Sequence, residues 1–528
     1  MDAKQKGFRK RLLYFPKICV ILTVAFLHCG EKILERTTTH MKRKNWIWLV
    51  LFAVLLSGCS QTKEIETGNE TTADTSAETE TVAETETEIS DDLPDVKFGG
   101  SDFRTYTREC CEGVHVNGLY IEDLTGDVVN DAVYTRNLTV EERFDVKIVA
   151  PITGADGDCT ALNTAVTAGD DICEVADWHY KHLGDSAAKG YFVDMHSIGV
   201  LGMEKPWWYK NVNDAYSVGG HYYIMVGMYD TDNFLDNICM YFNKNLLEVT
   251  LPEEDLYTVV KEGKWTADKF MSLAAQSAVD LDGDGTMDPT KDQFAYGQAN
   301  GYSFAFQFAW QQPVTERDAD GYPVTCINTS HMTDMVEKLH SMLFENSENI
   351  IDESDEQAVN AFKEDREMFQ LQALKAASIN FRDMDSDFGI LPMPKWDEAQ
   401  DEYYTHATAH TSAVAIPVTK DNDGFVFAET ILEALAAEGY KQVRPAIYDV
   451  ALKSKYTRDE VSYEMIDIVV HGRTADFAEI FDNWGLTYTL DHLTRKKSAD
   501  WASFYQSQTK TQEKAVGDAV ALFMGLDK

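Results

Sequence analysis

The stretch DAVYTRNLTVEERF-DVKIVAP, Asp131 to Pro151, decides the fold class of this 528-residue chain. Its first part has an acidic start and apolar residues at helical spacing. Its second part, from Asp145, reads as a strand. Outward on the N-terminal side, VKFGGSDFRTYTRE (Val96–Glu109) reads as a short strand, a Gly-Gly turn and a second strand. Outward on the other side, Cys159 to Ala168 is a helix that Gly169-Asp170-Asp171 ends, and ICEVAD (Ile172–Asp177) is a buried strand. Strands alternating with helices predict an α/β sheet of largely parallel strands. No repeat at a fixed period is visible.

Further along, Tyr241-Phe242-Asn243-Lys244-Asn245-Leu246-Leu247 opens a new unit. Helical segments then dominate: Ala267–Val279, Met332–Leu343 and Glu356–Lys363. Phe388-Gly389-Ile390-Leu391-Pro392-Met393-Pro394 is held out of helix by its two prolines. Val426–Ala437 is an amphipathic helix, and the last 90 residues read as helical.

The N-terminal part is of another kind. Met41 precedes Lys42-Arg43-Lys44, an 11-residue apolar run (Trp46–Leu56) and then Ser57-Gly58-Cys59. A helix needs about 20 residues to cross the hydrocarbon core, so this run fits the core of a cleavable signal instead. The pattern resembles the lipobox of bacterial lipoproteins, which implies a diacylated Cys59 as the mature first residue. A second basic-then-apolar stretch in residues 1–40 has no small residues before Cys29. Residues 1–40 are therefore expected to be an over-extended N-terminus and 41–58 the signal peptide.

Residues 1–59 hold 11 Lys/Arg and 3 Asp/Glu, a net of +8, so the whole-chain charge of −41 leaves −49 on residues 60–528. Such a surface repels nucleic-acid phosphates, and nucleic acid is excluded as a partner. Residues 60–95 carry 12 acidic residues, one lysine and almost nothing apolar. They are expected to be a disordered, self-repelling tether running on from Cys59. Six cysteines follow Cys59: Cys110, Cys111, Cys159, Cys173, Cys239 and Cys326. Their spacings match no zinc motif. Cys159–Cys173 could close a small loop, but most are expected to be free, buried apolar residues.

Four features together resemble an extracellular solute-binding protein of an ABC importer, of the sugar-binding-protein type (family 1). They are the lipobox with its acidic tether, Ile238-Cys239-Met240-Tyr241-Phe242-Asn243-Lys244, Gly263-Lys264-Trp265-Thr266 before a helix, and FGILPMPKWDEAQDEYYT (Phe388–Thr405). ALKSKYTRDEVSYEMIDIV (Ala451–Val469) resembles the C-terminal region of one lipoprotein branch of that family. The resemblance implies an α/β fold of the periplasmic-binding-protein-like type II. Its two lobes are joined by a hinge around an interlobe cleft, and the second lobe is helix-rich. The crossings are expected near 228–240 and 376–390. Lobe one is then 96–232 plus 378–430, and lobe two 233–377 plus 431–528.

The function implied is capture of a solute, above all a carbohydrate such as an oligosaccharide, and its delivery to ABC permease subunits by hinge closure. The protein would be a monomer on the extracytoplasmic face of the cell membrane, held by the lipid on Cys59. Sugar rings stack on aromatic planes and carboxylates and amides bind their hydroxyls, so candidate ligand-binding residues are Trp178, Trp207, Trp208, Tyr229, Asp230, Trp310, Trp396 and His410. Tyr302, Phe304, Asp177, Asp232, Asn233, Gln307 and Thr411 are further candidates. Trp207 and Trp208 are adjacent and would point differently, so at least one is expected to be partly exposed. No Gly-x-Ser-x-Gly, His-Glu-x-x-His or phosphate-binding loop occurs, so no enzyme is expected. The rival readings are a surface-anchored glycoside hydrolase and a polysaccharide-binding lipoprotein without transport. Among 88 acidic residues a carboxylate pair decides nothing between them.

The sharpest local motif is Asp280-Leu281-Asp282-Gly283-Asp284-Gly285-Thr286-Met287-Asp288. Its oxygens fall at about positions 1, 3, 5, 7 and 9 of a calcium loop, with Gly at 6. Lys291 stands where a bidentate Glu belongs, and Asp292 could substitute in a slightly longer loop. The set Asp280, Asp282, Asp284, Thr286, Asp288 and Asp292 is expected to hold a structural Ca2+. No organic cofactor is expected.

Overall fold

A computed structural model describes residues 89–108, 118–154, 159–345, 348–352, 354, 356–408, 411–451, 460–481 and 485–526. Cys59, the signal segment 41–58, residues 1–40, most of the tether, Cys110, Cys111 and His410 lie outside the described residues, as does part of the 451–469 motif. No helix among the described residues is long and apolar enough to cross a membrane.

The opening stretch folds locally as its residues dictate. Helix Val128–Phe144 is capped by Asp127, whose carboxylate accepts from the amides of Val129 and Asn130 at 3.1 Å each. Val133, Val140 and Phe144 share its buried face. Asp145 ends it at φ 49° and releases the chain into a strand. Helix Thr160–Ala168 ends the same way at Gly169. The first lobe's strands are β1 (Ser101–Phe103), β2 (Thr105–Arg108), β3 (Val146–Ile148), β4 (Ile152–Gly154) and β5 (Val175–His179). From Ile238 onward follow β6 (Ile238–Asn243), β7 (Phe294–Ala299), β8 (Thr315–Arg317), β9 (Pro323–Thr325), β10 (Asn349–Asp352), β11 (Glu367–Ala373) and β12 (Phe388–Leu391). The chain then returns as β13 (Ser412–Ala415).

Two sheets organise the two lobes. One has the order β13-β5-β2-β4 and the other β10-β7-β11-β6-β12, with small pairs β1-β3 and β8-β9 beside them. β2 runs parallel to β4 and β5, and β7 parallel to β10 and β11. The sheets are mixed where largely parallel strands were expected. β13, β6 and β12 run antiparallel to their neighbours because they are the strands by which the chain enters or leaves a lobe.

The chain passes between the sheets at 235–238 and again after 405. There the Ile238 amide donates to His406 O and the Thr408 amide to Asp236 O, both at 2.9 Å. On the other side of the same segment the Leu374 amide donates to Asn237 O and the Lys375 amide to Leu235 O, again at 2.9 Å. The return expected near 376–390 is therefore displaced. Residues 388–391 are β12, which pairs with β6 in register Ile390–Tyr241 and belongs to the five-stranded sheet. Gly389 permits this close pairing, since a Cβ there would sit 2.1 Å from the Phe242 ring.

The motif segments touch one another. Asn243 caps the helix after β6 by accepting from the Leu246 amide at 3.0 Å. Trp265 is fully buried and its indole N–H donates to Pro392 O at 2.9 Å. The body also starts earlier than Val96. Asp91 is buried against Arg143, and Lys205 binds Asp92 at 2.6 Å and the carbonyl of Ser90 at 2.8 Å. Ion pairs with cations of the folded body thus hold the end of the acidic tether.

Candidate functional site

The aromatic residues singled out from the sequence are mostly core. Trp178 lies on β5, stacked on Tyr106 of β2 with centroids 5.4 Å apart and planes at 15°. Trp207 and Trp208 are both buried, against expectation. Glu433, from the helix Asn422–Glu438, accepts the Trp207 indole N–H on Oε1 and the Trp208 indole N–H on Oε2, each at 2.8 Å. One carboxylate thus satisfies two indoles that point the same way, and neither needs solvent. Burial raises the Glu433 carboxyl and lifts its neighbour Glu429 to about 8. Tyr229, Trp310 and Phe304 are buried as well. Trp396 is partly buried in a T-shaped contact with Trp310 at 5.3 Å, with Lys338 Nζ 4.6 Å over its ring. Tyr302 is partly buried, and Gln307 and Thr411 are buried.

Four of the polar candidates converge. Asp177 in the middle of β5, Asp230, Asp232, Asn233 and the first passage between the lobes gather into one buried cluster. Asp177 is 3 % exposed and Asp230 5 %. Their carboxyls are in hydrogen-bond contact. Asp230 Oδ1 also accepts from the Asp232 amide at 2.9 Å. Gly118 closes one side, where a Cβ would lie 2.3 Å from Asp230 Oδ1 and 2.1 Å from Thr231 Oγ1.

Cations from separate segments balance these acids. Lys375, just after β11, binds Asp236 at 2.6 Å. Arg108, the last residue of β2, lies within electrostatic reach of Asp177, Asp230, Asp232 and Asp236. Arg136 is fully buried and donates to the carbonyls of Tyr229 and Leu119 at 2.7 Å each. Arg108, Arg136, Asp236 and Lys375 were not singled out from the sequence. The only local signal was the Asp230/Asp232/Asp236 spacing, and nothing local ties Lys375 to it.

Electrostatically this is a site where charge is costly. Burial, then the Asp230 carboxyl, pushes Asp177 well above the ordinary carboxylate range. Burial, then Asp232, lifts Asp230 to about 7, and burial with Asp236 raises Asp232. Burial also lowers Arg136 to about 10. Asp177 Oδ1, Thr231 Oγ1, Asn233 Oδ1, Asp236 Oδ2, Asn237 Oδ1 and Thr408 Oγ1 are buried without a hydrogen-bond donor. An unpaired buried acceptor costs about 1–3 kcal/mol, so this concentration suits a partner that brings donors.

The acidic loop is a separate place. Asp280, Asp282 and Asp284 bring carboxylate oxygens within 4.8 Å of one another. Asp280 accepts from the amides of Gly283 at 2.7 Å and Gly285 at 2.8 Å. Asp292 accepts from the amides of Leu281 and Asp288, both at 2.8 Å, and so closes the loop. Lys291 Nζ stands 3.5 Å from both Asp282 and Asp288, where it already balances part of the negative charge. The first three aspartates fit a hard cation, Asp288 and Asp292 are engaged within the loop, and nothing fixes Thr286 toward an ion. Among the described residues Cys173, Cys239 and Cys326 are free thiols.

No protein-family model matches the chain, and no curated protein sequence matches it. Solved structures do. UgpB from Mycobacterium tuberculosis, in complex with glycerophosphocholine, matches at 14 % identity with a TM-score of 0.50, over 80 % of this chain and 98 % of that one. The galacto-N-biose-/lacto-N-biose I-binding protein of the ABC transporter from Bifidobacterium longum matches at 14 % identity and TM-score 0.49, over 80 % and 98 %. The first of these carries the assignment of the fold: the chain has the two-lobed α/β architecture of solute-binding proteins.

Proposed function

We propose that this chain is an extracytoplasmic binding protein that captures a carbohydrate and hands it to an ABC permease. The observation that carries the reading is the joint between the lobes. Two passages run side by side at 235–238 and 405–408, and buried acceptors without donors cluster beside them. A hydroxyl-rich neutral solute brings donors to such a place. The fold shared with UgpB supports the same reading.

The lobes divide at these passages: lobe one takes residues up to about 235 together with β13 and the helix that follows it, and lobe two takes β6 to β12. The lipobox-like segment supports anchoring through Cys59. Absence of labelled fatty acid from the native protein, or labelling that survives Cys59→Ser, would refute the anchor. A structural Ca2+ on Asp280, Asp282 and Asp284 is part of the same proposal, and its test is given in the Discussion.

Titration calorimetry of the purified protein against a panel of mono- and oligosaccharides, with mass spectrometry of any retained solute, tests the function. Tight binding without turnover is the expected result. Release of cleaved sugar would replace the reading with a glycoside hydrolase, and no binding across the panel would overturn carbohydrate as the solute class.

A further inference from the structure

Asp177 and Asp230 have no counterpart among the acids on the surface. They meet from two different segments, both are nearly inaccessible, and their carboxyls contact each other directly. Asp177 Oδ1 has no donor from any other group. Two ionised carboxylates in contact without a donor between them repel strongly at low dielectric. A single proton between them turns the same contact into a hydrogen bond.

The surrounding charges leave that arrangement in place. β2 contributes Arg108, and the helix Val128–Phe144 contributes Arg136, whose guanidinium is already committed to backbone carbonyls and to Asn137. The helix Asp232–Leu235 and the passage contribute Asp232 and Asp236, the latter paired with Lys375. Tyr229 stands beside the pair, with Arg473 behind it. β13, which packs against β5, contributes Ser412–Ala415 and no charged group. Burial of both carboxyls and the contact between them favour keeping the proton, against Arg108 and Arg136, which favour the charged forms.

We propose that Asp177 and Asp230 share one proton near neutral pH, and that its loss makes the first passage between the lobes a pH-sensitive joint. On deprotonation the proton leaves to solvent, and two adjacent carboxylates remain where the chain crosses at 235–238. Their repulsion favours hydration and separation of β5 from the Asp230 segment. The pair's native pKa values lie above the ordinary 3.8, reaching about 7 at Asp230. The native state therefore binds more protons than the unfolded state between these limits, and this contribution to stability falls as pH rises through them. The inference rests on the geometry of the passage and not on the identity of the solute.

Infrared spectra of the full soluble body test it directly. Wild type at about pH 6.5 is expected to show the carbonyl band of a protonated carboxylic acid in a buried site, fading toward about pH 9. Asp177→Asn and Asp230→Asn, close in shape to the originals, are expected to weaken that band by the share of one carboxyl, the remainder coming from groups such as Glu429. They are also expected to flatten the fall in melting temperature between those pH values. Hydrogen exchange across 228–238, corrected for the intrinsic pH effect, is expected to speed up at the higher pH in wild type and not in the variants. A band that neither variant weakens, or a pH slope of melting that neither variant changes, overturns the shared proton. Carbohydrate binding without the band would overturn this inference alone. The band without carbohydrate binding would remove the proposed solute class and leave the shared proton standing.

Discussion

Two groups of aspartates in this chain are chemically alike and physically opposite. Asp280, Asp282, Asp284, Asp288 and Asp292 lie within one turn-rich loop, and most of their oxygens accept backbone amides from neighbours two to five residues away. Asp177, Asp230, Asp232 and Asp236 come from β5 and the first passage, and they are buried. Amide donors and Lys291 stabilise the charged form in the loop, so Asp288 and Asp292 sit below the ordinary carboxylate range. Desolvation destabilises it at the passage, so Asp177, Asp230 and Asp232 sit above it. Surroundings, not residue type, decide whether an aspartate here is held charged by donors or pushed toward its neutral form.

The sharpest way to break the contrast is to remove Lys375. It holds Asp236 at 2.6 Å with that carboxylate nearly inaccessible. Lys375→Met is expected to destabilise the body by about 3–5 kcal/mol in urea unfolding, because it strands a buried charge. Adding Asp236→Asn is expected to recover most of that loss. A single variant as stable as wild type would mean the passage is not the low-dielectric place described.

Calcium gives the next largest effect. A millimolar excess of Ca2+ over chelator is expected to raise the melting temperature by several degrees, and Asp282→Asn to abolish the rise. No shift in wild type would leave the loop as a self-capped turn.

Asp292→Asn then separates the two clusters by pH. A lowered native pKa contributes stability above the ordinary 3.8 and loses it as pH falls through the native value. The variant is expected to melt a few degrees lower at neutral pH and to match wild type in strong acid. The passage aspartates have the opposite dependence. Lys291→Met is the smallest perturbation. It is expected to leave melting nearly unchanged without calcium and to strengthen calcium binding severalfold, since the ammonium 3.5 Å from Asp282 and Asp288 competes with the ion.

The alternation of helix and strand around Asp131–Pro151 was legible because it is local. Asp127, Asp145, Gly169 and Asn243 cap or end their helices through bonds within a few residues. The glycine turns of the acidic loop were legible for the same reason. The expected exposure of Trp207 or Trp208 failed because composition carries no information about burial. Trp207 and Trp208 are as inaccessible as any core residue once Glu433, more than two hundred residues further along, accepts both indoles. The return crossing was misplaced because Pro392 and Pro394 mark an extended segment without saying which sheet receives it.

The sequence by itself determined the α/β class, the alternation of helix and strand around Asp131–Pro151, the acidic excess and the turn chemistry of the 280–292 loop. Each follows from side chains acting on their own neighbourhood or from summed charge. Only the tertiary structure decided that β12 joins β6, and that Arg108, Asp177, Asp230, Asp236 and Lys375 meet at one joint. Those contacts join segments separated by tens to hundreds of residues. Chain topology and desolvation set their energies, and neither is a property of any local stretch.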